Sequence, residues 1–212
     1  MYDIVINADN VLMDVNRALQ IAFKERNLTF NPNNVYTSAY NSDLSISERQ
    51  LLPSKMLISR YLDDPNLYRK APVDWSIIAY IKNCASSGMN FLIYTDSPND
   101  SVQMVKHALF TQWFLGLKNI SFAGKQSDDS CIGFASGVRG YIVVDSCLDN
   151  LRNYEHGIFK FLVDKPYNQR AYNQCYSDIF DDPKFIRCET AQQALEFAVG
   201  KAFALRLQNK PI

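Results

Sequence analysis

The chain of 212 residues balances 22 Lys and Arg against 22 Asp and Glu, so it lacks the net field that draws a protein onto nucleic acid or an anionic membrane. With 47% hydrophobic and 21% charged residues it is unlike a disordered segment, and its length suits one core domain with a small insertion. No apolar run approaches the roughly 18 residues that span a bilayer, and the opening residues are not a basic, apolar leader, so the expectation is a cytoplasmic protein with no membrane partner.

Residues 3–7, "DIVIN", predict a short strand. Residues 15–26 place Val15, Leu19, Ala22 and Phe23 on one helical stripe, which predicts a helix directly after a polar turn. Residues 27–45 are rich in Asn, Ser, Thr and Tyr and predict a long connection, followed by a helix over about 46–62 that stops before Asp63, Asp64 and Pro65. The spacing of Trp75, Ile78, Ile81 and Ala85 predicts a helix over 73–86 ending at Gly88, with Trp75 as a core anchor.

"NFLIYT" then predicts a strand ending at Thr95. A helix over 99–115 follows, with Val102, Val105, Leu109 and Trp113 on its inner side. "NISFAG", "GYIVVD" and "GIFKFLVD" predict three further strands, with Lys125 just beyond the first and Asp145 and Asp164 at the ends of the others. Residues 165–183 predict a long polar, aromatic loop, and Thr190 with Gln193 forms a capping-box pattern ahead of a terminal helix over 191–208.

Strands alternating with helices imply a parallel sheet covered on both faces, and ligands bind such sheets beyond the carboxyl ends of the strands. The polar residues gather at those ends: Asn7, Asp9, Thr95, Lys125 and Asp145. Taken one at a time, an acid or amide there is usually a turn former or helix cap, so the order along the chain carries more than any single residue. Cys84, Cys131, Cys147, Cys175 and Cys188 are odd in number and contain no C-x-x-C pair, and His107 and His156 are the only histidines. A disulfide framework and a zinc site are both disfavoured, and a divalent ion would have to lean on carboxylates, which favours magnesium.

"NADNVL" (7–12), "LIYTDS" (92–97), "FAGKQS" (122–127) and "IVVDSCLD" (142–149) together resemble the haloacid dehalogenase superfamily. In its phosphatases a strand ends in D-x-D-G, a second ends in Thr or Ser, a Lys follows, and another strand ends in acids. "NLYRKAPVDWSIIAYIKNCASSGMNFLIYTDSP", "GYIVVDSCLDNL" and "FLVDKPYNQ" are similar, within that superfamily, to stretches of the 5′(3′)-deoxyribonucleotidases of the cytosolic and mitochondrial type and their phage and bacterial relatives. The resemblance implies an α/β fold, a Rossmannoid three-layer sandwich with a parallel sheet, built from residues 1–13 and 71–212. Residues 14–70 would form a small helical cap.

It also implies roles. Asn7 stands at the nucleophile position, Asp9 would be the general acid and base, and Thr95 and Lys125 would hold the phosphoryl group. Asp96, Ser97, Tyr68 and Arg69 would contact substrate, and Asn7, Asp9, Asp145 and Asp149 would surround Mg2+. A carboxamide has no anionic oxygen to attack phosphorus and is a poor magnesium ligand, so turnover and metal binding should both be impaired. Asn10, where the family has Gly, can still adopt the left-handed turn, and Ser146 replaces a second acid. These joint departures favour natural loss over an engineered Asn7.

The expectation is therefore a nucleotidase-like protein that binds a nucleoside monophosphate, another phosphate ligand, or a protein through the 165–183 loop. An active Mg2+-dependent nucleoside monophosphate phosphatase is the rival reading, and a structural subunit of a larger assembly is the third. A phage source, and hence a host cytoplasm, is suggested by the relatives alone.

Overall fold

The structure is a computed structural model, and it describes residues 2–28, 55–126, 140–154, 159–169 and 180–208. Its elements in chain order are β1 (Tyr2–Asn7), α1 (Val15–Lys24), α2 (Lys55–Leu62), α3 (Pro65–Lys70), α4 (Trp75–Ser86), β2 (Phe91–Ser97) and α5 (Asp100–Trp113). They continue with β3 (Ile120–Gln126), β4 (Gly140–Asp145), α6 (Leu148–Asn153), β5 (Phe159–Val163), α7 (Pro166–Gln169), β6 (Phe185–Cys188) and α8 (Ala191–Gln208).

The strands form one six-stranded sheet in the order β3-β2-β1-β4-β5-β6, with every neighbouring pair parallel. Successive residues of a strand face opposite sides, and the composition follows that period. Ile4, Ile6, Phe91, Ile93, Ile142 and Val144 enter the larger core, covered by α4, α5 and α8. Val5, Leu92, Tyr94, Val143 and Leu162 enter a smaller core with Leu148 and Leu151 of α6. Both faces are thus buried, as near-continuous apolar strands require. From β1 the chain builds outward through β2 to β3, and from β4 the other way through β5 to β6, so the switch in direction falls between the paired β1 and β4, whose carboxyl ends flank a crevice.

Most predicted elements lie within a residue or two of their expected bounds. Four differences have physical causes. In α5 the expected Val102 and Trp113 are buried and Val105 and Leu109 pack half-buried on the core, but Lys106 and Phe110, one residue further on, take the fully buried middle positions. Trp75 opens α4 at the surface, 60% exposed, and packs its edge against buried Trp113 instead of entering the core. Lys125 lies within β3, in register with Asp96, because the strand runs two residues past Gly124. The short β6 and the single-turn helices α6 and α7 are too brief to show a period.

All but the first two residues of the expected connection at 27–45, the first half of the helix at 46–62 and most of the 165–183 loop lie outside the described residues. So does much of the expected cap at 14–70; of its described helices, α1 and α2 each pack on α3, and α3 packs on α5.

Candidate active site at the strand tips

β1 ends at Asn7, and the chain turns at once. Ala8 O accepts from Leu12 N at 2.9 Å and Met13 N at 3.1 Å, while Asn10 N donates to Met13 O at 2.7 Å. That tight turn puts Asn10 at φ 61°, in the left-handed region that Asn tolerates. Its side-chain oxygen accepts from Asn16 N at 3.0 Å, which ties the turn to the start of α1.

Register does the rest. Asn7 pairs with Tyr94 of β2, and Ile6 with Val144 of β4, so Asn7 sits between the tips of both neighbouring strands and next to Asp145. The Asn7 Nδ2 donates to Asp145 Oδ1 at 2.9 Å, and Asn7 Oδ1 accepts from Asp9 N at 3.0 Å. The side chain is buried and both ends of its amide are used.

Asp145 is fully buried and receives two donors on each oxygen. Oδ1 takes Asn7 Nδ2 and, at 2.8 Å, Cys147 N; Oδ2 takes Asn150 Nδ2 at 3.0 Å and the Tyr94 hydroxyl. Burial pushes its carboxyl up to about 7, against the opposing pull of the Cys147 N–H and of the Asn7 and Asn150 amides.

Asp9 projects from the turn toward β2. Its Oδ2 accepts from Thr95 Oγ1 at 2.8 Å and from Lys106 Nζ at 2.8 Å, while its Oδ1 is buried and has no hydrogen-bond partner. Lys106 rises from α5, only 1% exposed, and also donates to Thr95 Oγ1 at 2.8 Å and Asp96 O at 2.6 Å. Its ammonium stands 4.2 Å from the centroid of the Tyr68 ring, a cation–π contact.

Ser146 Oγ donates to Asp9 O at 3.3 Å and accepts from the Tyr167 hydroxyl at 2.7 Å. Asn168 Nδ2 holds the Ser146 and Val163 carbonyls at 3.0 and 2.8 Å, so α7 fixes the tip of β4 from behind.

A cavity of about 360 Å³ opens over this cluster. Asn7, Asp9, Asp96, Ser97 and Lys106 line it at the strand tips, and Val15, Leu62, Tyr68 and Pro98 give it an apolar wall. Ser97 Oγ is buried there without a hydrogen-bond partner. A second cleft, about 490 Å³, lies on the other side of the turn beside Asp14, Asp74 and Lys165, and none of the sequence-predicted site residues lines it.

The structure thus brings Asn7, Asp9, Thr95, Asp96, Ser97, Tyr68 and Asp145 together at the strand tips. Arg69 is not with them: its guanidinium donates to Asn66 Oδ1 on the exposed side of α3, whose turn points it outward while Tyr68 points in. Lys125 and Asp149 are placed by their backbones only, in β3 and α6.

Sequence reasoning missed Lys106, Tyr94, Asn150 and Tyr167. A signal for Lys106 was present. It falls four residues after Val102 and four before Phe110, on the buried stripe, where a lysine needs a partner to be tolerated.

Magnesium, which the resemblance implied, asks for six oxygen ligands in near-octahedral array. The described residues do not fit it. Asp145 has about four lone-pair directions and all are taken by donors, Asn7 turns amide hydrogens toward it, and one of the two lone pairs of the Asp9 carbonyl is taken by Ser146. Among the described residues no group of three His, Cys, Asp or Glu side chains is arranged to hold a metal ion.

No protein-family model matches the sequence, and no curated protein matches it. Solved structures do. A candidate phosphoglycolate phosphatase from Lactobacillus delbrueckii subsp. bulgaricus superposes with a TM-score of 0.52 at 17% identity, covering 93% of this chain and 97% of that one. A candidate haloacid dehalogenase-like hydrolase from Burkholderia xenovorans gives a TM-score of 0.53 at 16% identity, covering 96% and 99%. With the parallel six-stranded sheet and its strand order, these likenesses show that the chain has the α/β fold of the haloacid dehalogenase-like hydrolases.

Proposed function

We propose that this chain is a deoxyribonucleotidase-like protein without covalent phosphatase activity, and that it binds a nucleoside monophosphate, or a closely related phosphate monoester, in the cavity above the strand tips. The observation that carries this reading is the Asn7 carboxamide, donating to Asp145 and accepting from Asp9 N where a nucleophilic carboxylate would have to stand. An amide offers no anionic oxygen for an aspartyl-phosphate, and loss of a covalent nucleophile costs several orders of magnitude in turnover.

The fit of the amide also supports a native Asn7 over an engineered one. A carboxylate could accept from Asp9 N but could not donate to Asp145. Binding is supported by the cavity itself, whose polar end presents the buried, unpartnered Ser97 Oγ, a hydroxyl able to donate to a phosphate oxygen, near the positive charge of Lys106. The apolar wall of Val15, Leu62, Tyr68 and Pro98 suits the flat ring of a base.

Phosphate release from deoxyribonucleoside monophosphates, with and without magnesium, tests the first half. The expected result is no turnover above background. Turnover that vanishes on Asp9→Asn would restore the active-phosphatase reading, by direct attack of water. Thermal-shift titration with the same nucleotides tests the second half, since a ligand of the native state must raise the melting temperature. A flat response to every monophosphate would leave the structural-subunit reading in its place.

A further inference from the structure

The phosphoryl site of a metal-dependent hydrolase needs positive charge among its carboxylates, and here the described residues supply it from an unexpected place. We propose that the cation of the strand-tip cluster is the Lys106 ammonium and that the cluster has no site for a divalent metal. This goes beyond the binding reading above and does not depend on which ligand the cavity takes.

Three observations converge on it. The Asp145 carboxylate is saturated by donors from Asn7, Cys147, Asn150 and Tyr94, so an incoming cation would have to displace one of them for each lone pair it gained. The Asp9 main-chain oxygen already accepts from Ser146 Oγ, and Tyr167 holds that hydroxyl in place. Finally, the Asp9 carboxylate has its counter-charge: Lys106 Nζ lies 2.8 Å away, in a setting where the lysine is 1% exposed and cannot swing into solvent.

A buried ammonium with three acceptors and an aromatic face has every donor satisfied, which is how a charge persists out of water. A second, doubly charged cation placed beside it would be repelled by Lys106 at short range, with Asp9 already neutralised. Asn7 and Ser146 extend the same trend, each putting a neutral side chain where the resemblance led one to expect an acid.

Metal binding and charge balance can be read separately. In the first arm, Mn2+ binding to the full chain is followed by electron paramagnetic resonance, and melting temperature is compared in EDTA and in millimolar MgCl2. The expected results are no binding abolished by Asp145→Asn and no melting-temperature difference. Stoichiometric Mn2+ binding that Asp145→Asn removes, or a magnesium-dependent rise that the same substitution removes, overturns the proposal. Binding that survives Asp145→Asn lies elsewhere and upholds it.

In the second arm, Lys106→Met leaves the Asp9 charge buried and unbalanced, so its melting temperature should fall. Adding Asp9→Asn to Lys106→Met should recover part of that loss. A double variant no more stable than Lys106→Met alone overturns the assignment of Lys106 as the counter-cation. If Lys106→Met fails to fold, the comparison still decides: a folded double variant upholds the assignment, and an unfolded one overturns it.

Discussion

At residue 7 the difference between a carboxylate and a carboxamide is a difference in stability as well as in chemistry. Asn7→Asp would set two carboxylates against each other where Asn7 Nδ2 now lies 2.9 Å from Asp145 Oδ1. With both groups buried, the expected loss is about 3 kcal/mol, the scale of an uncompensated buried charge, and urea unfolding would measure it. Asp145 itself carries a pH dependence. Its carboxyl titrates at about 7 in the folded protein, above its ordinary value of 3.8, so the unfolded chain releases this proton first. The contribution of Asp145 to stability is therefore full below about pH 4, falls as the pH rises through about 7, and is level above that. Unfolding free energy measured from pH 5 to 8 should decline along this path, and Asp145→Asn should flatten the profile. Asn7, Asp9, Thr95 and Asp145 were legible because polar residues stand out where a continuous apolar run stops. Lys106 was passed over because a helical lysine reads by default as a solvated one, although its spacing from Val102 and Phe110 sets it on the buried stripe.

Elements of ordinary length were predicted well for the same reason that their caps work. Asp14, Asp74 and Asn99 accept from Arg17 N, Ser76 N and Val102 N at the starts of α1, α4 and α5. At α8 the Thr190 hydroxyl accepts from Gln193 N at 3.1 Å, but the Gln193 side chain reaches past Thr190 to Glu189 N at 2.8 Å, one residue earlier than a capping box requires. Thr190→Ala should cost about 1 kcal/mol by urea unfolding, the usual worth of a Ser or Thr cap. The strands at the sheet centre announced themselves through continuous apolar runs, whereas β6, Phe185–Cys188, has four residues with a charge among them. Its pairing with β5, from Lys160↔Phe185 to Val163↔Cys188, depends on the sheet already being there.

For the molecule as a whole, the strand order places β1 and β4 between two hydrogen-bonded neighbours each and leaves β3 and β6 with one each. Amide hydrogen exchange should accordingly be slowest in Ile4–Ile6 and Ile142–Val144, and faster by orders of magnitude along β6, since local opening draws on edges before centres. No helix among the described residues is long and apolar enough to cross a membrane. The Arg206 guanidinium in α8 binds the Asp3 carboxylate, 203 positions away in sequence, and also donates to Gly88 O at 2.9 Å. Synthesised before either neighbour, β1 must wait for Phe91 onward on one side and Gly140 onward on the other before either flank is filled. Until then this largely apolar hexapeptide is an unclaimed aggregation hazard, and the helix that latches it through Arg206 emerges later than either neighbouring strand.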